Sequence, residues 1–542
     1  MFGAGGGTSS YREAEETDVI LLWGSNARET HPIFFQHLLK GIRNGARLIA
    51  VDPRRTSSAE WADLWLGLDV GSDIALANAM GREIIEAGLA ADEFIGRATS
   101  GYEAYRQQVQ PYTLEYAERV TGVPAAAIRE AAHVYATADK AVLCWTLGIT
   151  EHHNAVDNVL ALINLALLTG HVGKWGSGIS PIRGQNNVQG GGDMGALPDR
   201  LPGFQHVEND ALREPFDRAW GVTVPPKKGW NLTAMYDAME RGELTALYCI
   251  GENPAQSEAD VKRVRRLLAG LEFMVAQDVF LTATAEMADV VLPAAAAWAE
   301  SDGTFTNSER RVQRVHKAME PPGDARDDLW IIFELAKRLG HDWGEASPER
   351  VWDELRGLAG AYRGMTYARL ESEGGLQWPC YDENHPGERF LHSRLWADPV
   401  PGKRAPFCPV DHDPPVEALS EEFPIRLTTG RRLDSYNTGV QSGLLRYPKR
   451  KGETLDLCPE DMDRLGLTDG EVVRVVTRRG AVKAPVRTER GLRPGLAFMT
   501  FHFPDEVDVN LLTIDATDPR AGTAEYKAAA VRIEKLEPAP AG

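Results

Sequence analysis

The chain has 542 residues, 43% hydrophobic and 25% charged, which suits a soluble globular protein of about three or four domains. Its 59 Lys and Arg against 78 Asp and Glu leave a formal charge of −19. That argues against nucleic acid as a partner, because phosphate backbones are held through Lys and Arg. The five cysteines are scattered with no C-x-x-C pair, which argues against a disulfide framework, a zinc ribbon or an iron–sulfur cluster held by this chain alone. No apolar run is long enough for a membrane-crossing helix.

Met1 to Ser10 is Gly-rich and is not a signal peptide. Phe2 to Gly7 reads as an internal glycine-rich loop that has lost what preceded it. The first strand is Asp18 to Gly24, a continuous apolar run of the kind buried on both faces of a parallel sheet. A helical stretch from Pro32 to Asn44 and a second strand from Arg47 to Asp52 complete a βαβ unit with an acid at its end. Helical patterns then run from Asp73 to Ala136, followed by a strand from Ala141 to Gly148.

A later stretch repeats this unit. Leu244 to Gly251 is a strand ending in glycine, and Phe273 to Asp278 is a strand ending in aspartate. Asp52 lies 28 residues after Gly24, and Asp278 lies 27 after Gly251. Each aspartate is followed by the same pattern, Thr56, Glu60 and Ala62-Asp63 in one copy and Thr282, Glu286 and Ala288-Asp289 in the other. A third strand follows each, Leu64 to Leu68 and Val290 to Pro293. The pattern predicts a duplicated dinucleotide-binding unit with one ligand per copy. Ligands in such sheets sit beyond the C-terminal strand ends. Gly24 and Gly251 would let backbone approach a phosphate, and Asn26 and Asn253 would donate to it or cap a helix. Asp52 and Asp278 would accept from a ribose hydroxyl or a purine amine. Neither copy contains G-x-G-x-x-G, so an ordinary NAD or FAD site is poorly supported.

Between the copies, Arg183 to Gly195 holds five glycines, two Gln and two Asn behind a leading arginine. This composition predicts a loop wrapping a polar ligand, with no regular helix inside it. His171 has no ligand context and is expected to be structural. Residues 398–418, rich in proline, are expected to form an interdomain linker. Beyond them, strands at Ile425 to Thr429, Glu471 to Thr477, Ala481 to Val486 and Leu496 to Thr500, with a short helix at Glu460 to Gly466, predict a small β-barrel. The expected domains are 1–185 and 186–397, two related α/β units of which the second is incomplete, then the 398–418 linker and a barrel over 419–542.

Several segments resemble the molybdopterin guanine dinucleotide oxidoreductases, and within them the formate dehydrogenase catalytic subunits. They are Trp23 to Pro32, Val51 to Thr56, Pro181 to Leu197, Gly303 to Arg311 and Thr429-Gly430-Arg431. The run Arg183-Gly184-Gln185-Asn186-Asn187-Val188-Gln189-Gly190, followed by Asp193-Met194-Gly195, is the part most specific to the formate dehydrogenase type. The resemblance implies two pterin guanine dinucleotides on one molybdenum or tungsten. Gly24, Ser25 and Asn26, with Asp52, Arg54, Gly71, Ser72 and Asp73, would serve one arm. Gly251, Glu252, Asn253, Gln277 and Asp278 would serve the other. Thr429, Gly430, Arg431, Asn510 and Lys527 would close over the pterins, and Gly184 lies in the cofactor-facing loop. Arg183 would bind formate through its planar fork, and Gln185 would help position substrate or pterin.

The resemblance further implies an upstream [4Fe–4S] domain, a Cys or selenocysteine metal ligand followed by histidine, and iron–sulfur or NAD-reducing partner subunits. None of the five cysteines sits at a matching position. The chain is therefore expected to be a piece of a longer cytoplasmic enzyme, and a selenocysteine UGA codon read as stop, a misplaced start or a split gene would each account for its start. A nitrate reductase-like subunit and a cofactor-free scaffold are the alternatives.

Overall fold

The structure is a computed structural model that describes residue 2, residues 5–440 and residues 452–536. Gly3 and Ala4 of the expected N-terminal loop lie outside the described residues. The first sheet is parallel throughout. Its strands are β1 (Val19–Trp23), β2 (Arg47–Val51), β3 (Leu64–Leu66), β4 (Ala141–Trp145) and β5 (Gly178–Pro181), in the order β3–β2–β1–β4–β5. β1 and β4 are buried at every position, as their unbroken apolar runs require. Alternate residues of β1 serve opposite faces. Val19, Leu21 and Trp23 pack in the core with α2 (Asp73–Glu86) and α3 (Ala155–Thr169). Ile20 and Leu22 meet Phe34, Phe35 and Leu38 of α1 (Pro32–Arg43) on the other side. The strand expected to reach Gly148 ends at Trp145, where a short helix, Leu147–Thr150, begins.

The glycine-rich run after Arg183 was expected to be irregular, but Val188–Asp193 forms a helix, α4, in spite of its three glycines. Close packing explains the first of them, Gly190, while Gly191 has open space beside it. A Cβ at Gly190 would stand 1.9 Å from the side-chain oxygen of Asn187. That same oxygen accepts from the Thr306 amide at 3.0 Å, which joins the helix to a neighbouring hairpin.

The second unit has β6 (Ala246–Ile250), α5 (Val261–Leu268), β7 (Phe273–Asp278) and β8 (Val290–Pro293), with parallel strand order β8–β7–β6 among the described residues. Phe273, Val290 and Val291 are exposed on it. It reproduces the first unit bond for bond. The Gly24 amide donates to Val51 O and the Gly251 amide to Gln277 O, both at 2.8 Å. Asp63 accepts from the Leu48 amide at 2.8 Å, and Asp289 from the Met274 amide at 2.7 Å. Thr56 and Thr282 accept from the Ala59 and Ala285 amides, each at 3.2 Å.

Residues 398–418 are not a free linker. Ala405–Pro406 pairs with Thr99–Ser100, and Phe407 stacks on Tyr105 at 5.0 Å. Asn78 donates to Val410 O at 2.9 Å. The buried Asn164 of α3 donates to Cys408 O at 2.7 Å and accepts from the Cys408 amide at 3.0 Å. The segment is a strap packed into the first unit's core, because its Ala405, Phe407 and Val410 are apolar and find a groove there.

The C-terminal strands are β9 (Ile425–Gly430), β10 (Leu455–Leu457), β11 (Val472–Val476), β12 (Ala481–Thr488), β13 (Leu496–Thr500) and β14 (Ala529–Lys535). They close as a barrel in the order β9–β13–β10–β12–β11–β14. β10 and β14 were not expected from the sequence. The short helix runs Pro459–Leu465.

Asn164→Ala removes the partner of both part-buried backbone groups of Cys408. It should cost about 3 kcal/mol and open the strap to protease. Denaturant unfolding and limited proteolysis check this, and a wild-type midpoint with an uncut strap would show that the apolar contacts alone hold it.

Candidate functional site

The C-terminal ends of both sheets and one end of the barrel enclose a cleft of about 930 Å³. Its floor is set by two glycines. Gly24 has φ +54°, and a Cβ on it would stand 2.8 Å from the Gly148 carbonyl carbon. The two backbones touch, with the Gly148 amide donating to Gly24 O at 3.2 Å and Thr146 Oγ1 to the same oxygen at 2.7 Å. Gly251, at φ +63°, has open space where a side chain would be.

From the first unit, Gly24, Asn26, Asp52, Arg54, Gly71 and Asp73 line the cleft. Gly251, Glu252, Asn253 and Asp278 line it from the second, and Thr429, Gly430, Arg431 and Lys527 from the barrel. Arg183, Gly184 and Gln185 stand on the loop between the units. Four sequence-predicted residues, Ser25, Ser72, Gln277 and Asn510, are not in the wall. Ser25 is buried behind it, with no hydrogen-bond partner for its hydroxyl. Gln277 is buried at the end of β7, accepting from Tyr248 OH and donating to Asp328 at 2.5 Å. Asn510 is buried and donates to Gln256 O at 2.9 Å. Ser72 donates to Asp69 O at 2.6 Å, a turn bond.

Asn26 and Asn253 stand at the N-cap positions of two short helices, Ala27–Thr30 and Pro254–Ser257, but their side chains make no cap bond. Each side-chain oxygen accepts from the hydroxyl of Ser58 or Thr284 at 2.8 Å. Those hydroxyls in turn accept from the Arg28 and Ala255 amides at 2.9 and 3.0 Å. Ser58 and Thr284 were missed in the sequence because they differ in type, although they stand at the same place in the two repeats. His171 is structural as expected, with its Nε2 2.9 Å from Tyr135 O.

The acids differ between the units. Burial pushes the Asp52 carboxyl up, against the pull of Arg54, whose amide donates to it at 2.9 Å. Burial also raises Asp73, which accepts from Trp23 Nε1 at 2.8 Å. In the second unit burial raises Asp278 and Glu252, and pushes Glu258 up to about 7. Arg54 lies 3.7 Å above the Phe498 ring of the barrel. Arg183 donates through Nε to Gln189 at 2.7 Å and through Nη2 to Gly5 O at 3.0 Å. With its amide turned to satisfy its neighbours, Gln185 accepts from both terminal nitrogens of Arg431 at 3.2 Å.

A buried clasp that sequence reasoning missed closes the cleft. Glu525 lies 3.2 Å from His152 Nδ1 and accepts from the His153 amide at 3.1 Å and the Lys527 amide at 2.8 Å. Lys527 pairs with Glu151 at 2.6 Å and donates to Thr429 O at 3.1 Å. The partners are 373 residues apart, so no local pattern could reveal them.

The description molybdopterin oxidoreductase matches residues 4–338, and molydopterin dinucleotide binding domain matches residues 425–530. The chain belongs to the molybdopterin oxidoreductase family. It is 40% identical to the F420-dependent formate dehydrogenase subunit alpha of Methanocaldococcus jannaschii, over 99% of this chain and 79% of that one. It is 38% identical to formate dehydrogenase H of Escherichia coli, over 98% and 75%. The assimilatory nitrate reductase catalytic subunit of Bacillus subtilis is 33% identical over 98% and 76%. Among solved structures, acetylene hydratase from Pelobacter acetylenicus superposes with a TM-score of 0.74 at 24% identity, over 98% of this chain and 79% of that one, which speaks for the fold. No helix among the described residues is long and apolar enough to cross a membrane.

The cleft of this molybdopterin oxidoreductase fits such a cofactor. Arg432 lines it with Nε and Nη1 buried and lacking hydrogen-bond partners, and the Ser435 hydroxyl beside it is orphaned too. Donors left over next to glycine cradles suit a large anionic dinucleotide.

The clasp predicts a pH response. Burial disfavours charge on both partners, but Glu525 and Asp73 outweigh it and hold His152 high. His152 likewise outweighs burial and holds Glu525 low. Glu525 loses its contribution only as pH falls below the ordinary 4.5. His152 loses its own as pH rises past the ordinary 6.5 toward its raised value. Thermal unfolding followed against pH should therefore show a plateau between these values. Glu525→Gln should flatten both limbs and cost about 3 kcal/mol on the plateau. An unchanged pH profile in the variant would contradict the clasp.

Proposed function

We propose that this chain is the catalytic subunit of a formate dehydrogenase, oxidising formate to carbon dioxide. The observation that carries the reading is Arg183, braced by Gln189 and Gly5 on the loop where both units and the barrel meet. Formate is a small planar carboxylate, and a guanidinium binds it through two parallel N–H bonds. Bracing Nε and one terminal nitrogen restricts the side chain while leaving N–H groups for the substrate. The similarity to formate dehydrogenase subunits along nearly the whole chain supports the same reading.

In this proposal the cofactor is a pair of molybdopterin guanine dinucleotides on molybdenum or tungsten, and it supplies the acceptor for two electrons. Gly24, Asn26, Asp52, Arg54, Gly71 and Asp73 would hold one arm. Gly251, Glu252, Asn253 and Asp278 would hold the other. Gly184, Thr429, Gly430, Arg431 and Lys527 would close over both, and Gln185 would fix Arg431 beside the substrate. Asp52 and Asp278 would accept from the guanosine ends. The two ends are unlike, since Asp52 faces Arg54 whereas Asp278 shares its surroundings with Glu252. Ser25, Gln277 and Asn510 would act from behind the wall, by shaping it. In this reading the enzyme is cytoplasmic and also uses a [4Fe–4S] cluster, a Cys or selenocysteine metal ligand and electron-transfer or NAD-reducing subunits. The nitrate reductase relative makes oxo transfer to or from a small anion the competing chemistry.

Arg183→Lys keeps the charge and loses the fork. In the holoenzyme it should raise the KM for formate about 100-fold while the molybdenum or tungsten content stays at the wild-type level. Steady-state kinetics with metal analysis measures this. Wild-type enzyme that reduces nitrate and leaves formate untouched would give the competing reading instead.

A further inference from the structure

Arg183 is held by groups that are themselves held. Ser308 Oγ donates to its carbonyl oxygen at 2.9 Å and fixes the backbone. The guanidinium has two acceptors, Gln189 Oε1 at 2.7 Å from Nε and Gly5 O at 3.0 Å from Nη2. Nε and Nη2 form one edge of the planar fork. Among the described residues that edge is taken, and the Nη1–Nη2 edge is left for a carboxylate.

Gln189 can do this with only one orientation of its amide. It stands on α4 and is 2% exposed. Its Nε2 donates to Asp193 Oδ1, one helical turn on, at 2.8 Å and lies 3.3 Å from Gly5 O. Both of those oxygens accept, whereas the Nε–H of Arg183 donates. Turned over, the amide would set its oxygen against two oxygens and its N–H groups against the guanidinium. Asp193, which makes the shorter bond, therefore decides which end of Gln189 faces Arg183.

Asp193 is the last residue of α4 and is 1% exposed. Its second oxygen accepts from the indole Nε1 of Trp378 at 2.8 Å, 185 residues along the chain. An indole N–H only donates, so both neighbours of this side chain need an acceptor, and a carboxylate offers one at each end. Trp378 is fixed in turn by the fully buried Arg310. The Trp378 amide donates to Arg310 O at 3.2 Å, and the Arg310 guanidinium donates to Trp378 O and, at 2.7 Å, to Gly7 O. Gly7 is two residues from Gly5, so both acceptors of Arg183 trace back to one buried frame. Across the Gln189 amide, the opposite charges of Asp193 and Arg183 favour each other.

We propose that Asp193 is a positioning residue for Arg183, acting through the Gln189 amide to keep the outer edge of the guanidinium turned to the substrate. The inference rests on the reading of Arg183 as the residue that binds formate. Asp193 does not line the cleft, and it is assigned no contact with the reacting atoms.

Asp193→Asn keeps the shape and puts an N–H where Gln189 or Trp378 needs an acceptor. In the holoenzyme it should raise the KM for formate about tenfold, the worth of one buried hydrogen bond, with kcat within about twofold of wild type. Adding Gln189→Glu gives Arg183 an acceptor again and gives the introduced amide a carboxylate to donate to. The double variant should return KM to within about threefold of wild type. Molybdenum or tungsten content should match wild type in both. A wild-type KM in Asp193→Asn beside a raised KM in Arg183→Lys overturns the inference. So does a double variant no better than Asp193→Asn, or a joint loss of metal and kcat in both, either of which marks a purely structural role. An unchanged KM in Arg183→Lys removes the underlying reading, and this inference with it.

Discussion

A carboxylate without access to water holds this molecule together at its working end. Glu525 sits in the irregular segment just before the last barrel strand, yet its partners are His152 and the His153 amide of the first unit. A buried charge is tolerated only when it is paired and hydrogen-bonded, so barrel and sheet must meet in one register. Lys527, two residues on, is thereby delivered to Glu151 and to Thr429 O. Tyr526 between them donates to Ser257 O at 3.2 Å, which ties in the second unit. Three bodies converge on one tripeptide, and the cleft is the space they leave.

The two α/β units show how a repeat can be conserved in frame and divergent in chemistry. Glycine, asparagine, threonine and the second aspartate make the same bonds in both copies, and these bonds shape the strand ends. The residues that project into the cleft are not the same. Asp52 lies with Arg54 and Asp73, whereas Asp278 lies with Glu252 and Glu258 nearby. Two similar ligand arms would therefore meet unlike electrostatic surroundings.

The same scaffold carries several chemistries. This chain resembles formate dehydrogenases and a nitrate reductase in sequence and acetylene hydratase in fold. Fold alone therefore does not select the reaction. In the proposed function the choice falls to Arg183 and Gln185 of the loop after β5 and to Arg431 of the barrel, which line the same cleft.

Much of this was legible in the sequence, because parallel strands buried on both faces write themselves as unbroken apolar runs. β1 and β2 fall where such runs lie, β6 and β7 carry similar runs although they are only partly buried, and the duplication shows in the spacing from Gly24 to Asp63 and from Gly251 to Asp289. The helix Val188–Asp193 was not legible, since three glycines in a row argue against helix propensity and the close contact of Gly190 with Asn187 shows only in the fold. Nor was the strap over 398–418, whose prolines suggested a linker while its Phe407 and Val410 found a distant groove. Sequence by itself determined the two units, the barrel and most of the cleft's glycines and acids, because local periodicity and turn chemistry encode them. Only the tertiary structure decided that Ser25, Gln277 and Asn510 stand behind the wall and that His152 meets Glu525. Those contacts join residues far apart in the chain, and burial of charge and hydrogen-bonding groups, which selects them, has no local signature.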